Sequence, residues 1–339
     1  MIDQETIDEC RAIMERRRAA RRDFMRNGAF AVAGAGGLAL LSGCNDDSAD
    51  NTSPPGPAPT PPPAPGASVN DVNILNFALN FEYLEGNYYT FGALGAGIND
   101  TLRTGTGTQG AVTGGRAVTF SDPTVAAYIR EIAADENAHI TFLRGQLGSS
   151  AVAQPAINID GSASGAFTAA ARAAGVVGPT GTFDPYASQD NFLLGAVLLT
   201  DVGVSAYKGA AQFVENKTFL EAAAGILAVE AYHSGLLRTL LYRRGLDTPA
   251  IFTQFGQISD ARDRLDGPNN DLDQNIAPQT VGGLTQSNLV PTDANGIVFG
   301  RTTGQVLNIG YLNTGAAPVS QGGFFPAGVN GAIRTSTIG

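Results

Sequence analysis

The chain reads Glu136-Asn137-Ala138-His139 and, further on, Glu230-Ala231-Tyr232-His233, and these two stretches contain the only 2 histidines among its 339 residues. On an α-helix, residues i and i+3 lie one turn apart on the same face, so each stretch directs a carboxylate and an imidazole toward one point. Two core or surface histidines with incidental neighbours are the alternative. The repeated spacing favours two helices that meet at a metal site.

Four long segments have the apolar periodicity of helices. They run over about 70–94, 122–147, 188–214 and 218–244. Polar caps precede two of them, at Asp122 and Asn216, and glycines follow two of them, at Gly148 and Gly245. Because all four exceed the average helix length, an all-α four-helix bundle is the most economical fold.

The connections between these helices predict the topology. The third and fourth helices are joined by only a few residues, near 215–217, so they must be antiparallel neighbours. Residues 148–187 give the second and third helices a connection long enough to travel the length of the bundle. One long central crossover of this kind is typical of ferritin-like bundles, although the long first connection, residues 92–120, departs from their compact plan.

Residues 1–44 have the features of an export signal. Arg21-Arg22-Asp23-Phe24-Met25-Arg26 precedes a weakly apolar run, 29–41, which is shorter than the roughly 20 residues of a transmembrane helix. The segment ends in Leu41-Ser42-Gly43-Cys44 and resembles a twin-arginine signal with a lipobox, with Ala20 as a departure from the usual pattern. This resemblance implies a lipid anchor on Cys44 that tethers an exported protein to a membrane in the cell envelope or periplasm.

Composition argues against several classes of protein. Apart from Cys44, the only cysteine is Cys10, which lies inside the signal, so the mature protein has no disulfide. The chain carries 31 acidic and 21 basic residues, and its net charge of −10 argues against a nucleic-acid partner. With both histidines committed to the paired motifs, none remains for a hydrolytic triad.

The rest of the chain divides into three parts by composition. A Pro-rich linker occupies residues 45–66, the predicted bundle occupies 67–245, and the final part, 246–339, begins with a short helix near 251–266. The Gly- and Pro-rich remainder carries isolated apolar clusters such as Phe324-Phe325, which favour an extended C-terminal arm pinned to a surface. That surface is either the arm's own bundle or a partner subunit, and a homodimer is one arrangement to test.

Dinuclear carboxylate bundles take Glu-x-x-His from two helices and one glutamate from each of the other two. On the first helix the candidates are Glu82 and Glu85. The segment from Glu82 to Tyr89 resembles the first helix of bacterioferritins and rubrerythrins, in which a ligand glutamate stands seven residues before a tyrosine. This resemblance selects Glu82. Glu85 is then an additional ligand, a hydrogen-bond acceptor beside the ligands, or a solvated residue.

The third helix has no glutamate where a ligand is needed, and Asp201 is the only acid within its apolar stripe. Counted from the turn near Asn216, Asp201 and Glu230 lie at nearly the same level of the bundle. A buried aspartate requires a cation or a donor, so we predict Asp201 as a ligand, with a hydrogen bond to Tyr207 as the alternative. The predicted metal ligands are therefore Glu82, Glu136, His139, Asp201, Glu230 and His233.

Further side chains are predicted to surround these ligands. A ligating histidine usually donates its second N–H to a carboxylate, and Asp135 is the natural acceptor, as in ferritin-like proteins that read Asp-Glu-x-x-His. Tyr89, Tyr207 and Tyr232 are candidates to hydrogen-bond the ligands or to carry oxidising equivalents, with ordinary packing as the alternative. Carboxylates with two imidazoles and no thiolate suit iron or manganese, and we expect two such ions per chain.

Three segments, 202–207, 299–307 and 322–326, resemble the exported branch of the ferritin-like superfamily that is related to plant desiccation-associated proteins. This resemblance implies Fe(II) oxidation, peroxide removal or dioxygen activation, in protection against oxidative or drying stress. A non-catalytic structural or binding module at the cell envelope is the second hypothesis, which the aspartate at position 201 favours. An iron-storing cage fits poorly with a membrane tether and a long arm.

Overall fold

The computed structural model describes residues 69–268 and 271–338, which contain seven α-helices and four short strands. The long helices are α1 (Val69–Leu94), α2 (Pro123–Leu147), α4 (Gln189–Ala211) and α5 (Lys217–Asp247). The shorter ones are α3 (Ala166–Ala174), α6 (Ala250–Asp266) and α7 (Thr303–Tyr311). The prediction of an all-α, ferritin-like four-helix bundle is confirmed. The predicted signal, Cys44 and the linker lie outside the described residues.

Side-chain caps begin two of the long helices where the sequence predicts them. Asp122 accepts a hydrogen bond from the Thr124 amide at the start of α2, and Asn216 accepts one from the Thr218 amide at the start of α5. Helix α4 is long and apolar enough to span a membrane by composition, but 83% of its most apolar window is buried inside the protein. α4 is therefore a core helix of the bundle.

The long helices pack as two antiparallel pairs. Tyr83 of α1 accepts a hydrogen bond from Arg144, near the end of α2. Thr90, further along α1, accepts one from Asn137, which comes earlier in α2. The second pair, α4 with α5, is closed by the short turn 212–216, as the sequence predicts.

The two pairs meet along α1 and α4, which also run antiparallel. Glu82, in the middle of α1, contacts Tyr207 near the end of α4. Tyr89, later in α1, contacts Thr200 earlier in α4. Since α2 and α4 therefore point the same way, the chain must return along the bundle between them, and residues 148–188 make this predicted crossover.

The two long connections pack against each other. Strand β1 (Val112–Gly114), in the first connection, pairs in parallel with β2 (Ile157–Ile159), in the crossover. Helix α3 also belongs to the crossover. The first connection, which had no explanation at the level of the sequence, therefore supports the crossover through backbone pairing. The other strands, β3 (Gln279–Val281) and β4 (Leu284–Gln286), form a hairpin after α6.

The C-terminal part packs on the bundle of its own chain. Arg301 is buried, and its backbone N–H donates to the carbonyl of Ser205 on α4 at 3.0 Å. A Cβ at Gly209 would lie 1.9 Å from the Arg301 carbonyl oxygen, so only glycine permits this approach. Phe325 is fully buried against Phe81 of α1, with ring centroids 5.2 Å apart. Of the two surfaces predicted for the arm, its own bundle is the one observed.

Candidate metal centre

Four buried side chains from three helices meet inside the bundle. Glu82, Glu136, His139 and Glu230 each present a ligand-type atom, and these atoms lie within 4.8 Å of one another. Nδ1 of His139 lies 3.3 Å from Oε2 of Glu82, 3.5 Å from Oε1 of Glu230 and 3.7 Å from Oε2 of Glu136. Both Glu-x-x-His stretches therefore contribute to one cluster, because α2 and α5 pack with these turns side by side.

His233 completes the second Glu-x-x-His stretch. Its Nδ1 lies 3.1 Å from Oε1 of Glu136, and its ring centroid lies 6.3 Å from that of His139. Nε2, on the other side of the ring, lies 3.3 Å from Oδ2 of Asp135. Asp135 thus stands where the sequence predicts a carboxylate partner for a histidine. Its side chain is 38% exposed, so the Asp135–His233 contact connects the cluster to the protein surface.

Glu85 joins the cluster from α1, one turn after Glu82. It is buried, and its Oε2 accepts a hydrogen bond from the Thr200 hydroxyl at 2.9 Å. A Cβ on Gly203 would lie 2.9 Å from Oε2 of Glu230 and 3.0 Å from Oε1 of Glu85, so both carboxylates border the space beside this glycine. Glu85 is therefore not a solvated residue. It is the fourth glutamate around the cluster, and it comes from α1, whereas the fourth acid was predicted on α4, at position 201.

The structure places Asp201 outside the cluster, which corrects the predicted set of ligands. Its Oδ1 accepts a hydrogen bond from the Ser234 hydroxyl at 2.6 Å. Its Oδ2 accepts one from Arg238 at 2.9 Å and one from Arg262 at 3.0 Å. The buried aspartate does have cationic partners, but they are arginines of its own chain. The neighbouring residue, Thr200, faces the cluster instead.

Two of the three predicted tyrosines are connected to the cluster. Tyr207 donates a hydrogen bond to Oε1 of Glu82. The alternative prediction, a hydrogen bond between Tyr207 and Asp201, is wrong. The Tyr89 hydroxyl lies 2.6 Å from the Thr200 hydroxyl, which in turn donates to a cluster glutamate. Tyr232 points to solvent with 77% of its surface exposed.

Thr200 and Gly203 were not predicted as part of the site. Both share a helix face with Tyr207, since residues 200, 203 and 207 are spaced i, i+3 and i+7. This spacing is the signal that would have found them. If Tyr207 is assigned to the inner face of α4, positions 200 and 203 fall on that face and Asp201 falls outside it.

The charges of the cluster shift the pKa values of its members strongly. Burial would raise the pKa of Glu136, but the nearby imidazoles of His139 and His233, which carry positive charge when protonated, lower it to about 2. Burial and the neighbouring charge of Glu136 raise the pKa of Glu230 to about 8. Burial, followed by the charges of the other three glutamates, raises the pKa of Glu85 well above its usual range. Without a cation, the cluster therefore favours the protonated, neutral form of Glu85 and Glu230.

The donor atoms fit metal ions. Buried donor and acceptor atoms normally have hydrogen-bond partners, and unpaired ones are costly. Within the described residues, six side-chain atoms of the cluster are buried without one: Oε2 of Glu82, both carboxylate oxygens of Glu136, Oε2 of Glu230, and Nδ1 of His139 and His233. Carboxylate oxygens with imidazole nitrogens and no thiolate form a set that suits iron or manganese.

A narrow, mainly apolar cavity of about 30 Å³ reaches the cluster between α1, α4 and α5. Three of the cluster's carboxylates, those of Glu82, Glu85 and Glu230, form part of its wall. The rest of its wall includes Phe77, Ala78, Val202, Ala206, Ala210 and Val214. By the same measure, about 10–15 Å³ is enough for one water molecule, so this space admits only small molecules.

The sequence profile of the family described as Ferritin-like domain matches residues 70–243. The chain is 28% identical over 277 residues to the ferritin-like catalase Nec2 of Nesocodon mauritianus, a match that covers 79% of this chain and 86% of that protein. It is 31% identical over 271 residues to the desiccation-related protein PCC13-62 of Craterostigma plantagineum, covering 77% of this chain and 83% of that one. No solved structure matches the chain significantly.

Proposed function

Because the chain belongs to the ferritin-like family, we propose that its Glu/His cluster binds two iron or manganese ions and removes hydrogen peroxide by disproportionation. The observation that carries this proposal is the buried set of four glutamates and two histidines with six unpaired donor and acceptor atoms. The name of one relative, a ferritin-like catalase, supports the reaction. The name of the other, a desiccation-related protein, supports a role in protection against drying or oxidative stress.

In this reaction one peroxide is oxidised to dioxygen and a second is reduced to water, so two electrons must pass between them. A pair of redox-active ions held by the cluster would store these electrons between the two half-reactions. The hydrogen bond from Tyr207 fixes Oε1 of Glu82 and leaves Oε2 directed into the cluster. Thr200 holds Oε2 of Glu85 in the same way and leaves Oε1 beside Gly203. In Glu82 and in Glu85, a hydrogen bond thus fixes one carboxylate oxygen and leaves the second oxygen to bind a cation.

The cavity beside the cluster supports a small, uncharged substrate. Its apolar wall would exclude anions and keep bulk water away, whereas a molecule as small as hydrogen peroxide fits its volume. Gly203 keeps this approach open, because a side chain there would fill the space between Glu85 and Glu230.

The experiment measures metal content by mass spectrometry and dioxygen evolution with an oxygen electrode after hydrogen peroxide is added. Wild-type protein should hold about two iron or manganese ions per chain and evolve dioxygen. The His139→Ala/His233→Ala double variant should lose both properties. Tyr232→Phe, a change at an exposed residue next to His233, is the matched control and should keep both.

Two results would contradict the proposal in different ways. Metal-loaded protein that evolves no dioxygen but oxidises added Fe(II) would assign the centre to iron oxidation, the other reaction that the resemblance implies. Protein that takes up no metal, with a double variant that folds equally well, would support the second hypothesis, a non-catalytic structural or binding module.

Export, the lipid anchor on Cys44 and a homodimer are further parts of this proposal. The paired arginines 21–22 and the lipobox-like residues 41–44 support export and lipidation. The protein should be purified from membranes of the organism that produces it. Mass spectrometry should then find a lipidated Cys44 at the N-terminus that cleavage of the signal leaves. Analytical ultracentrifugation of the mature chain tests the homodimer.

A further inference from the structure

A second cavity, of about 160 Å³, lies between α3, α4 and α6. Its wall is almost entirely apolar and includes Phe167, Leu194, Leu198, Ile258 and Leu265. No residue of the Glu/His cluster lines it. This cavity therefore requires an explanation of its own.

The cavity exists because α3 presents short side chains. Beside Phe167, helix α3 lines it with Ala170, Ala171 and Ala174, where longer apolar side chains would fill the space. Protein interiors are close-packed, and voids larger than a water molecule are few. An engineered apolar cavity of about 150 Å³ in another protein stays dry and binds benzene or xenon. A cavity of the present size and lining therefore has the dimensions of a binding site for a benzene-sized molecule.

One buried polar group stands in this apolar wall. Arg262 of α6 lines the cavity and is fully buried. Its terminal nitrogens are engaged, one with the carbonyl of Val197 at 2.6 Å and the other with Asp201 at 3.0 Å. Its Nε is buried without a hydrogen-bond partner among the described residues. A buried N–H without an acceptor is costly, and a ligand oxygen would satisfy it.

The C-terminal part borders the cavity beside α7. Leu312, which follows α7, lines it together with Thr314. The Leu312 backbone has φ 52°, in the left-handed region that a leucine rarely adopts. Leu312 thus lines the cavity from a helix-end position that glycine usually occupies.

We propose that the cavity between α3, α4 and α6 binds an apolar molecule of benzene size that carries one hydrogen-bond acceptor, such as an aromatic aldehyde or ketone. The ring occupies the space left by the alanines of α3, and the acceptor oxygen faces Nε of Arg262. This site is separate from the metal centre, so its occupation does not depend on the proposed peroxide chemistry.

Titration of the full-length protein with benzene and with benzaldehyde, followed by NMR, tests the site. Both should bind, and benzaldehyde should bind about tenfold more tightly, as one hydrogen bond to a charged group allows. Ala170→Leu should abolish both interactions by filling the cavity. Ala169→Leu changes an exposed alanine of the same helix and should leave both affinities unchanged.

A crystal pressurised with xenon gives a second readout that needs neither metal nor activity. Xenon should appear between α3, α4 and α6 in the wild-type protein and be absent from Ala170→Leu. If benzene, benzaldehyde and xenon all fail to bind the folded wild-type protein, the site does not exist. Equal affinities for benzene and benzaldehyde would overturn the role of Arg262, and unchanged binding in Ala170→Leu would place the ligands elsewhere.

Discussion

Two clusters of buried acids, which both include residues of α5, obtain their counter-charges differently. The first cluster consists of aspartates paired with arginines: Asp201, Asp266 and Asp273 with Arg238, Arg262 and Arg301. Its pairs are close, for example 2.6 Å between Arg301 and Asp266. The second cluster holds four glutamates and two histidines and retains unpaired buried atoms. The first has an arginine of its own chain for each aspartate, whereas the second has two histidines for four glutamates and could hold a metal ion.

This difference explains why Asp201 was predicted in the wrong cluster. A buried aspartate needs a cation, but the local sequence does not say which one. Its partners, Arg238 and Arg262, stand 37 and 61 residues further along the chain and reach it only after α5 and α6 have packed. Buried oxygens without a hydrogen-bond partner, visible only in the structure, distinguish the Glu/His cluster from this internal salt-bridge cluster among the described residues.

The largest effect should come from breaking the arginine-paired cluster. Asp201→Asn leaves Arg238 and Arg262 buried with a neutral partner, which should cost about 3–5 kcal/mol of the free energy of unfolding. Urea denaturation measures this loss. Asp190→Asn, in the surface pair with Arg244 on the same two helices, is the control and should cost about 1 kcal/mol or less. Similar losses in both variants would contradict the distinction between the two kinds of pair.

The matching change in the second cluster is Glu136→Gln. Excess Fe(II) or Mn(II), added anaerobically at about 100 times the dissociation constant, should stabilise the wild-type protein by about 2.7 kcal/mol. In Glu136→Gln this stabilisation should be absent, because the change removes the carboxylate that contacts both histidines of the cluster. Thermal unfolding with and without metal measures the difference. Equal stabilisation of wild type and variant would place the metal elsewhere.

The free energy of unfolding should depend on pH through the Glu/His cluster. Burial, together with the charge of Glu136, raises the pKa of Glu230 from 4.5 to about 8, so the folded protein holds a proton that the unfolded chain has released. Protein stripped of metal should therefore lose stability as the pH rises from about 5 to 8. Bound cations displace this proton and should flatten the curve. Urea midpoints across this range test both statements, and a rise in stability with pH would contradict them.

A smaller effect is expected at the edge of the metal centre. Tyr207→Phe removes the hydrogen bond that orients Glu82 and should weaken metal affinity by about 10- to 100-fold. Isothermal titration calorimetry with Mn(II) measures the change. Tyr232→Phe should leave affinity unchanged, since this side chain is 77% exposed. An equal loss in both variants would show that neither tyrosine acts through the ligands.

Much of the bundle was predictable because its signals are local. Periodicity and the caps at Asp122 and Asn216 located the long helices, and connection lengths gave their order. The paired Glu-x-x-His stretches led to His139 and His233, which the structure places 6.3 Å apart. The role of Glu85 was left open because its neighbours come from α4 and α5. Helices α3 and α7 were missed because each has only 9 residues, too few for a clear periodic pattern.

The C-terminal part packs on α1, at Phe325 with Phe81 and again at Asn330 with Asn80, so this side of α1 is completed late in folding. Asn80 donates to the carbonyl of Asn330 at 2.9 Å, and the amide of Asn330 donates back at 2.9 Å, across 250 positions of sequence. Contacts between such distant residues close late and slow the search for the native state. During synthesis, the side of α1 that carries Asn80 therefore stays uncovered until Asn330 has left the ribosome.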